Sequence, residues 1–243
     1  MATFPVETWK ADVVRVTLFG VRPWSEAPES IFSTLMGTEA DSTSAKPSAG
    51  EASAIGGWDD YELEVKKTIN RLDFLVKPRP ATSPDIPLIA QPTTVKAQLS
   101  ERVAKWASNQ EQEICRVAVG CGGMWPVTDT AEGNKAVSEL TGVFSSPMTE
   151  YRDLQVQLNK TTYSHTEPSI LINRVVRCFS LKIEVGLFSG PAQFPMQNLF
   201  FTVFVTDVNS DADRKESIDT KLISPLIEEL AKESNRLLAM GGP

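Results

Sequence analysis

The pattern of this chain predicts an α+β fold: a sheet of roughly six mainly antiparallel strands, three to four helices packed mostly on one face, and a C-terminal helix that closes the structure. Three observations carry that expectation. Residues 152–160 alternate cleanly, with Leu154, Val156 and Leu158 on one side and Asp153, Gln155, Gln157 and Asn159 on the other; a strand with one polar face suits an antiparallel sheet. The stretches 152–160, 170–187 and 198–208 follow one another through loops too short for crossover helices, so they should be antiparallel neighbours. Residues 217–239 repeat Ile218, Leu222, Leu226 and Leu230 four apart, the spacing of a helix with one buried stripe.

The elements follow in order. Val14, Val16 and Leu18 mark a strand over 12–19, ended by Gly20 and Pro23. A short helix comes next, with Pro28 near its first turn, Gly37 past its end, and Ile31, Phe32, Leu35 and Met36 as its stripe. Residues 37–57 hold only Ile55 as a sizeable apolar side chain, which reads as a flexible insertion unable to offset its own ordering entropy. The pattern of a strand returns over 61–77. Its apolar parity switches near Asn70-Arg71, so a bulge or tight turn is expected there. Five prolines make 78–92 an extended loop, and Val95, Leu99, Val103 and Trp106 define a helix from Thr93 or Thr94 to about Trp106. Cys115, Val117, Val119 and Cys121 share a face of a strand over 113–121, which Gly122-Gly123 and Pro126 are expected to break. A weaker helix covers 131–141, stopped by Gly142. Within 170–187, Phe179, Leu181, Ile183 and Val185 should be buried. Ser224-Pro225 marks a kink or fresh start in the last helix.

Composition bounds the function. The chain has 243 residues, 41% hydrophobic and 23% charged, enough for a packed core and against wholesale disorder. The segment before the insertion is too small for its own core, so residues 1–243 are read as one domain. A net charge of −7 repels phosphate backbones, so direct nucleic-acid binding is disfavoured. One histidine removes any His-cluster metal site and most triad chemistry, and no metal or cofactor is expected. No apolar run approaches the roughly 20 residues of a membrane span, and the start, Met1-Ala2-Thr3-Phe4-Pro5, does not read as a secretory signal. Three cysteines do not make a disulfide framework; a reducing cytoplasm is the natural location.

The candidate chemistry is thin. His165 falls in a polar loop between strands. Gly120-Cys121-Gly122-Gly123 follows a strand as a phosphate-cradling loop would, but Met124-Trp125-Pro126 comes next rather than a helix, so a bulge or chain reversal is the better reading. Asp59-Asp60, Glu228-Glu229 and Asp211 with Asp213 read as solvated charge, and residues 207–213 lack the turn glycine and closing Glu of a calcium loop. More informative are Arg71, Asp73, Arg116, Gln157, Asn159, Asn173 and Arg174, all within or beside strands. On neighbouring strands they would form a surface of fixed hydrogen-bonding groups able to grip a peptide, a nucleotide or a partner chain, and Asn is otherwise disfavoured in strands. Phe200 and Phe204 share the second face of their strand and are candidates for an interface. Trp24, Trp58, Trp106 and Trp125 read as core or partner anchors.

In order along the chain, WKADVVRVTLF, RLDFLV, RVAVGCG, LQVQLNK, INRVV and FFTVFVTDVNS before a final helix resemble a sporadically distributed family of bacterial proteins of similar length, without an assigned reaction. Some members lie near mobile or defence gene clusters. The resemblance implies a cytoplasmic subunit that works with neighbours, and its matching polar positions are Arg71, Asp73, Arg116, Asn159, Asn173, Arg174 and Asp207. It supplies no catalytic residue. The expectation is therefore a non-enzymatic subunit or adaptor of a multi-protein bacterial assembly, with antiviral defence as its setting, that binds a protein partner or a second copy. The alternative is a small-molecule-binding domain with a pocket between a curved antiparallel sheet and the C-terminal helix.

Overall fold

A computed structural model describes residues 8–80, 86–144, 151–152, 154–185, 188–189, 192–193 and 197–240. Asp153, residues 186–187 of the expected strand 170–187, Pro84 of the expected loop and Gly241-Gly242-Pro243 lie outside the described residues. The architecture is α+β, with a large antiparallel sheet and a C-terminal helix. The elements run β1 (Lys10–Gly20), α1 (Pro28–Met36), β2 (Ser42–Lys46), β3 (Glu51–Trp58), β4 (Tyr61–Lys67), β5 (Arg71–Pro78), α2 (Pro92–Ala107), β6 (Ile114–Val127), α3 (Thr130–Thr141), β7 (Gln155–Tyr163), β8 (Leu171–Val185), β9 (Phe188–Ser189), β10 (Ala192–Gln193), β11 (Gln197–Ser210) and α4 (Thr220–Met240). Nine strands form one sheet in the order β2-β3-β4-β5-β1-β6-β11-β8-β7, and β9 and β10 pair separately.

Six expected strands become nine for two reasons. The parity switch at Asn70-Arg71 is a tight turn, closed by Thr68 N–H donating to the Arg71 carbonyl, so 61–77 is the hairpin β4–β5. Residues 37–57 are not a flexible insertion: most of them form the hairpin β2–β3, paired through β3 to β4. Composition misleads here because α1 packs on small residues. Ala54 is fully buried, and a Cβ at Gly56 would lie 2.5 Å from Phe32 Cζ, so only glycine lets the helix come this close. The ladder to β4 satisfies the backbone that large apolar side chains were expected to anchor.

β6 also continues through Gly122-Gly123 and Pro126 to Val127. Pro126 is tolerated because β1 pairs with β6 only as far as Met124, so that stretch is laddered on one side by β11. The irregularity expected at the glycines lies opposite them, as a bulge at Asp12 of β1 facing Gly122-Gly123. A Cβ at Gly122 would collide with the Asp12 carboxylate.

All four described α-helices cover the same face. Phe32 of α1 meets β3, Trp106 of α2 meets Phe74 edge-on with ring centroids 5.5 Å apart, the Gly133 carbonyl of α3 accepts from Thr202, and Ser234 of α4 bonds Thr206 at 2.8 Å. α1 begins at Pro28 and ends at Gly37, whose φ of +71° places it in the left-handed region and lets its N–H reach the Ser33 carbonyl. Beneath the helices lie Val14, Val16, Leu18, Leu63, Val65, Leu72, Phe74, Val76, Val117, Val119 and Val208 in one buried layer. Trp24, Trp58 and Trp106 belong to this core, with Trp125 partly buried against it.

Candidate functional site

The face without helices holds the candidate site. Its rows follow from the strand registers. Arg71, Phe19 and Arg116 lie side by side on β5, β1 and β6. Asp73, Thr17, Ala118, Asn209 and Asn173 form the next row across β5, β1, β6, β11 and β8. Arg15, Gly120 and Asp207 form the third. Five adjacent strands thus bring their polar residues onto one surface.

Hydrogen bonds tie these rows together. Both Arg71 Nε and Arg71 Nη2 sit 2.8 Å from oxygens of Asp73, and Thr17 donates to the same carboxylate at 2.6 Å. Asp73 is only 5% exposed, and this buried carboxylate is held by the part-exposed Arg71 guanidinium and the Thr17 hydroxyl. Arg15 Nη2 crosses β6 to reach Asp207 Oδ2 at 3.0 Å. Asn209 Nδ2 donates to Asp207 Oδ1 at 3.1 Å, and Asn209 Oδ1 accepts from Arg116 at 3.0 Å and Asn173 at 3.4 Å. The Phe19 ring carries a guanidinium on each side, Arg116 at 4.7 Å and Arg71 at 5.7 Å from its centroid. Among the described residues Arg116 pairs with no carboxylate. The result is a rigid array of fixed donors and acceptors, with Arg116 free to meet a further anion or carbonyl.

Of the residues read from the sequence, Arg71, Asp73, Arg116, Asn173 and Asp207 meet in this array. Asn159 shares the face but stands on β7, exposed and across Val175 from Asp207. Gln157, also on β7, accepts from Arg177 at 3.3 Å. Arg174 lies on the opposite face, because consecutive strand residues alternate; it donates to Glu233 of α4 at 3.0 Å. Arg15, Thr17, Phe19 and Asn209 are the members sequence reasoning passed over. Their signal was Arg15 and Thr17 standing as polar positions opposite the apolar parity of β1.

Phe200 and Phe204 do not form an outer interface. Both lie on the helix face, where Phe204 is fully buried 5.9 Å from Trp9 and Phe200 is half-buried. β11 is apolar on both sides, and its outward residues are Leu199, Phe201, Val203 and Val205. These form a second cluster with Met124, Phe179, Leu181 and Ile183, flanked by Ile86 and Leu88. The open face is therefore polar at one end of the long strands and apolar at the other, where Phe179, Leu181, Ile183 and Leu199 remain half-exposed.

A cleft of about 530 Å³ lies on the helix side, between β7–β8 and α4. Ile172 and Leu230 contribute apolar wall, and Arg174, Arg236, Lys232 and His165 bring cationic or titratable groups. Glu233 accepts from Arg174 and from Arg236 at 2.6 and 2.8 Å, which holds its carboxyl below the usual range. Glu229 binds the Ser164 hydroxyl and the N–H groups of His165 and Thr166, so it caps the β7–β8 loop.

The remaining candidates resolve as structure. Asp59-Asp60 is the β3–β4 turn, with Asp59 at φ +48°. Asp211 Oδ1 accepts from the Asp213 N–H in a local turn. Burial raises all three thiols, Cys178 to about 12, so none is poised as a thiolate at neutral pH. No described helix is long and apolar enough to cross a membrane. Set against family models, curated proteins and solved structures, the chain matches none.

Proposed function

We propose that this chain is a non-enzymatic cytoplasmic subunit or adaptor of a multi-protein bacterial assembly, with antiviral defence as its setting, and that it holds a protein partner on the open face of its sheet. The observation that carries this reading is the pairing of two halves on that face. A pre-ordered Arg15–Asp207, Arg71–Asp73 and Arg116–Asn209–Asn173 array adjoins half-exposed Phe179, Leu181, Ile183 and Leu199. Apolar anchors beside a polar surface with fixed hydrogen-bonding groups are the composition of a protein interface. Thr17, the hydroxyl within the array, is 1% exposed and bonded to Asp73, which leaves it no access to a substrate.

The test is co-purification from the native host with the neighbouring genes intact. A protein should accompany the wild-type chain, and be lost on Leu181→Glu and on Arg116→Ala under conditions where circular dichroism shows both variants still folded. Glu228→Gln, on the far side of the sheet, should keep it. Partner retention by both open-face variants would sink the reading.

The cleft favours a second reading, a small-molecule-binding domain. Its size falls within the ~300–1,000 Å³ of ligand sites, and its position between the sheet and α4 is the one such a domain would use. Native mass spectrometry of the purified chain distinguishes the two. A retained small molecule lost on Arg174→Ala supports the cleft.

A further inference from the structure

The two edges of the nine-stranded sheet are built differently. β2 is five residues long, ends in Lys46, and runs into Pro47. Behind it, Lys66 and Glu51 approach to 3.6 Å. A short strand closed by lysine and proline is a protected edge. β7 is the reverse. Its nine residues pair with β8 in unbroken register from Gln155 opposite Phe179 to Tyr163 opposite Leu171, without a bulge. It contains no proline or glycine and one charge, Lys160. Gln155, Gln157, Asn159, Lys160 and Thr161 are exposed, and Tyr163 is 66% exposed. Among the described residues no strand pairs with its outer edge. Long, regular and nearly uncharged, this edge presents unpaired N–H and C=O groups as a template for another strand.

We propose that the outer edge of β7 pairs with β7 of a second copy, antiparallel about a two-fold axis at Asn159, joining two sheets into one. This register uses all nine residues. It sets Gln155 opposite Tyr163, Val156 opposite Thr162, Gln157 opposite Thr161, Leu158 opposite Lys160 and Asn159 opposite itself. Val156 and Leu158 then meet residues of their own face, and amides and hydroxyls face one another across the other. The single cation meets a leucine; moving the axis one residue to Lys160 would set lysine against lysine, which this pattern disfavours. Pairing a surface with itself about a two-fold is the commonest route to a closed oligomer. The inference is independent of what binds the open face.

Sedimentation velocity on the full chain tests it. The mass should rise with concentration toward twice 26.7 kDa. N159K and N159D each place like charges at the axis and should weaken association at least tenfold, with unchanged unfolding midpoints, because Asn159 is exposed. Mixing the two variants apposes opposite charges and should restore the dimer as a heterodimer. A wild-type chain that stays monomeric to about 1 mM, the weak limit of specific association, overturns the proposal. So does a dimer indifferent to both variants, or a mixture that stays monomeric.

Discussion

Gly120 decides how Arg15 and Asp207 meet. It stands between them on β6, and a Cβ there would lie 2.9 Å from the Thr206 carbonyl and 3.4 Å from Arg15 Nη2. Gly120→Val should therefore cost about 1–3 kcal/mol in urea unfolding and dislodge Arg15 from Asp207. Phe204 belongs to the same scale. Its ring is fully buried against Trp9, so Phe204→Ala should cost about 3–5 kcal/mol, read by the same unfolding curve, and not release a partner from an otherwise stable domain. In the sequence both faces of β11 are apolar in part, Phe200 and Phe204 alternating with Thr202 and Thr206 on one, and only the neighbouring strands decide which one the helices cover. Lys96 was legible only as a polar position on α2, yet it is fully buried, donating to Ser234 Oγ at 2.7 Å. Burial lowers its pKa, with the nearby Cys121 opposing. The folded state thus resists a proton that the unfolded chain keeps up to about pH 10.4. Stability limited by this group rises as pH climbs from the lowered folded value toward that limit. Lys96→Met, which leaves the Ser234–Thr206 bond in place, should be more stable than wild type at neutral pH. Its advantage over wild type should shrink between pH 7 and 10, and a constant advantage would refute the account.

The β2–β3 hairpin shows where sequence patterning stops at the level of an element. Counting large apolar residues found only Ile55 between 37 and 57, yet the segment docks α1 through Ala54 and Gly56. Small residues at a helix–sheet contact and small residues in a flexible loop look alike in one dimension. The difference is made by Phe32, twenty-four positions away. Gly56→Val should push that ring outward and cost about 1–3 kcal/mol in urea. Amides in 51–58 should lose hydrogen-exchange protection while those in β6 keep theirs. Equal loss across the sheet would mean that the hairpin is not a separate local unit. The elements with clean periodicity fared better: β1, α1, α2, β7, β8, β11 and α4 stand close to where alternation or helical spacing put them.

At the scale of the molecule, strand order was legible for the last three long strands, β7, β8 and β11, whose short connections make them antiparallel neighbours, and hidden for the rest. Local alternation says which residues share a face of one strand, but not which strands adjoin. Arg71, Arg116 and Asn173 became one surface only because β5, β1, β6, β11 and β8 are consecutive in the sheet. Charge, by contrast, was legible in full, and it constrains association between copies. Each carries −7, so two chains brought edge to edge repel at long range, while the β7 edge itself holds one charge and attracts through backbone hydrogen bonds and amide contacts. Salt screens the first and leaves the second nearly untouched. Raising the salt from about 0.05 to 0.5 M, which shortens the screening length from beyond 10 Å to below it, should therefore strengthen self-association of the wild-type chain. N159K should gain more, since salt also screens the like charges that this variant sets at the axis. An assembly held by ion pairs would respond in the opposite direction, so weakening by salt would separate that case from edge pairing in one titration.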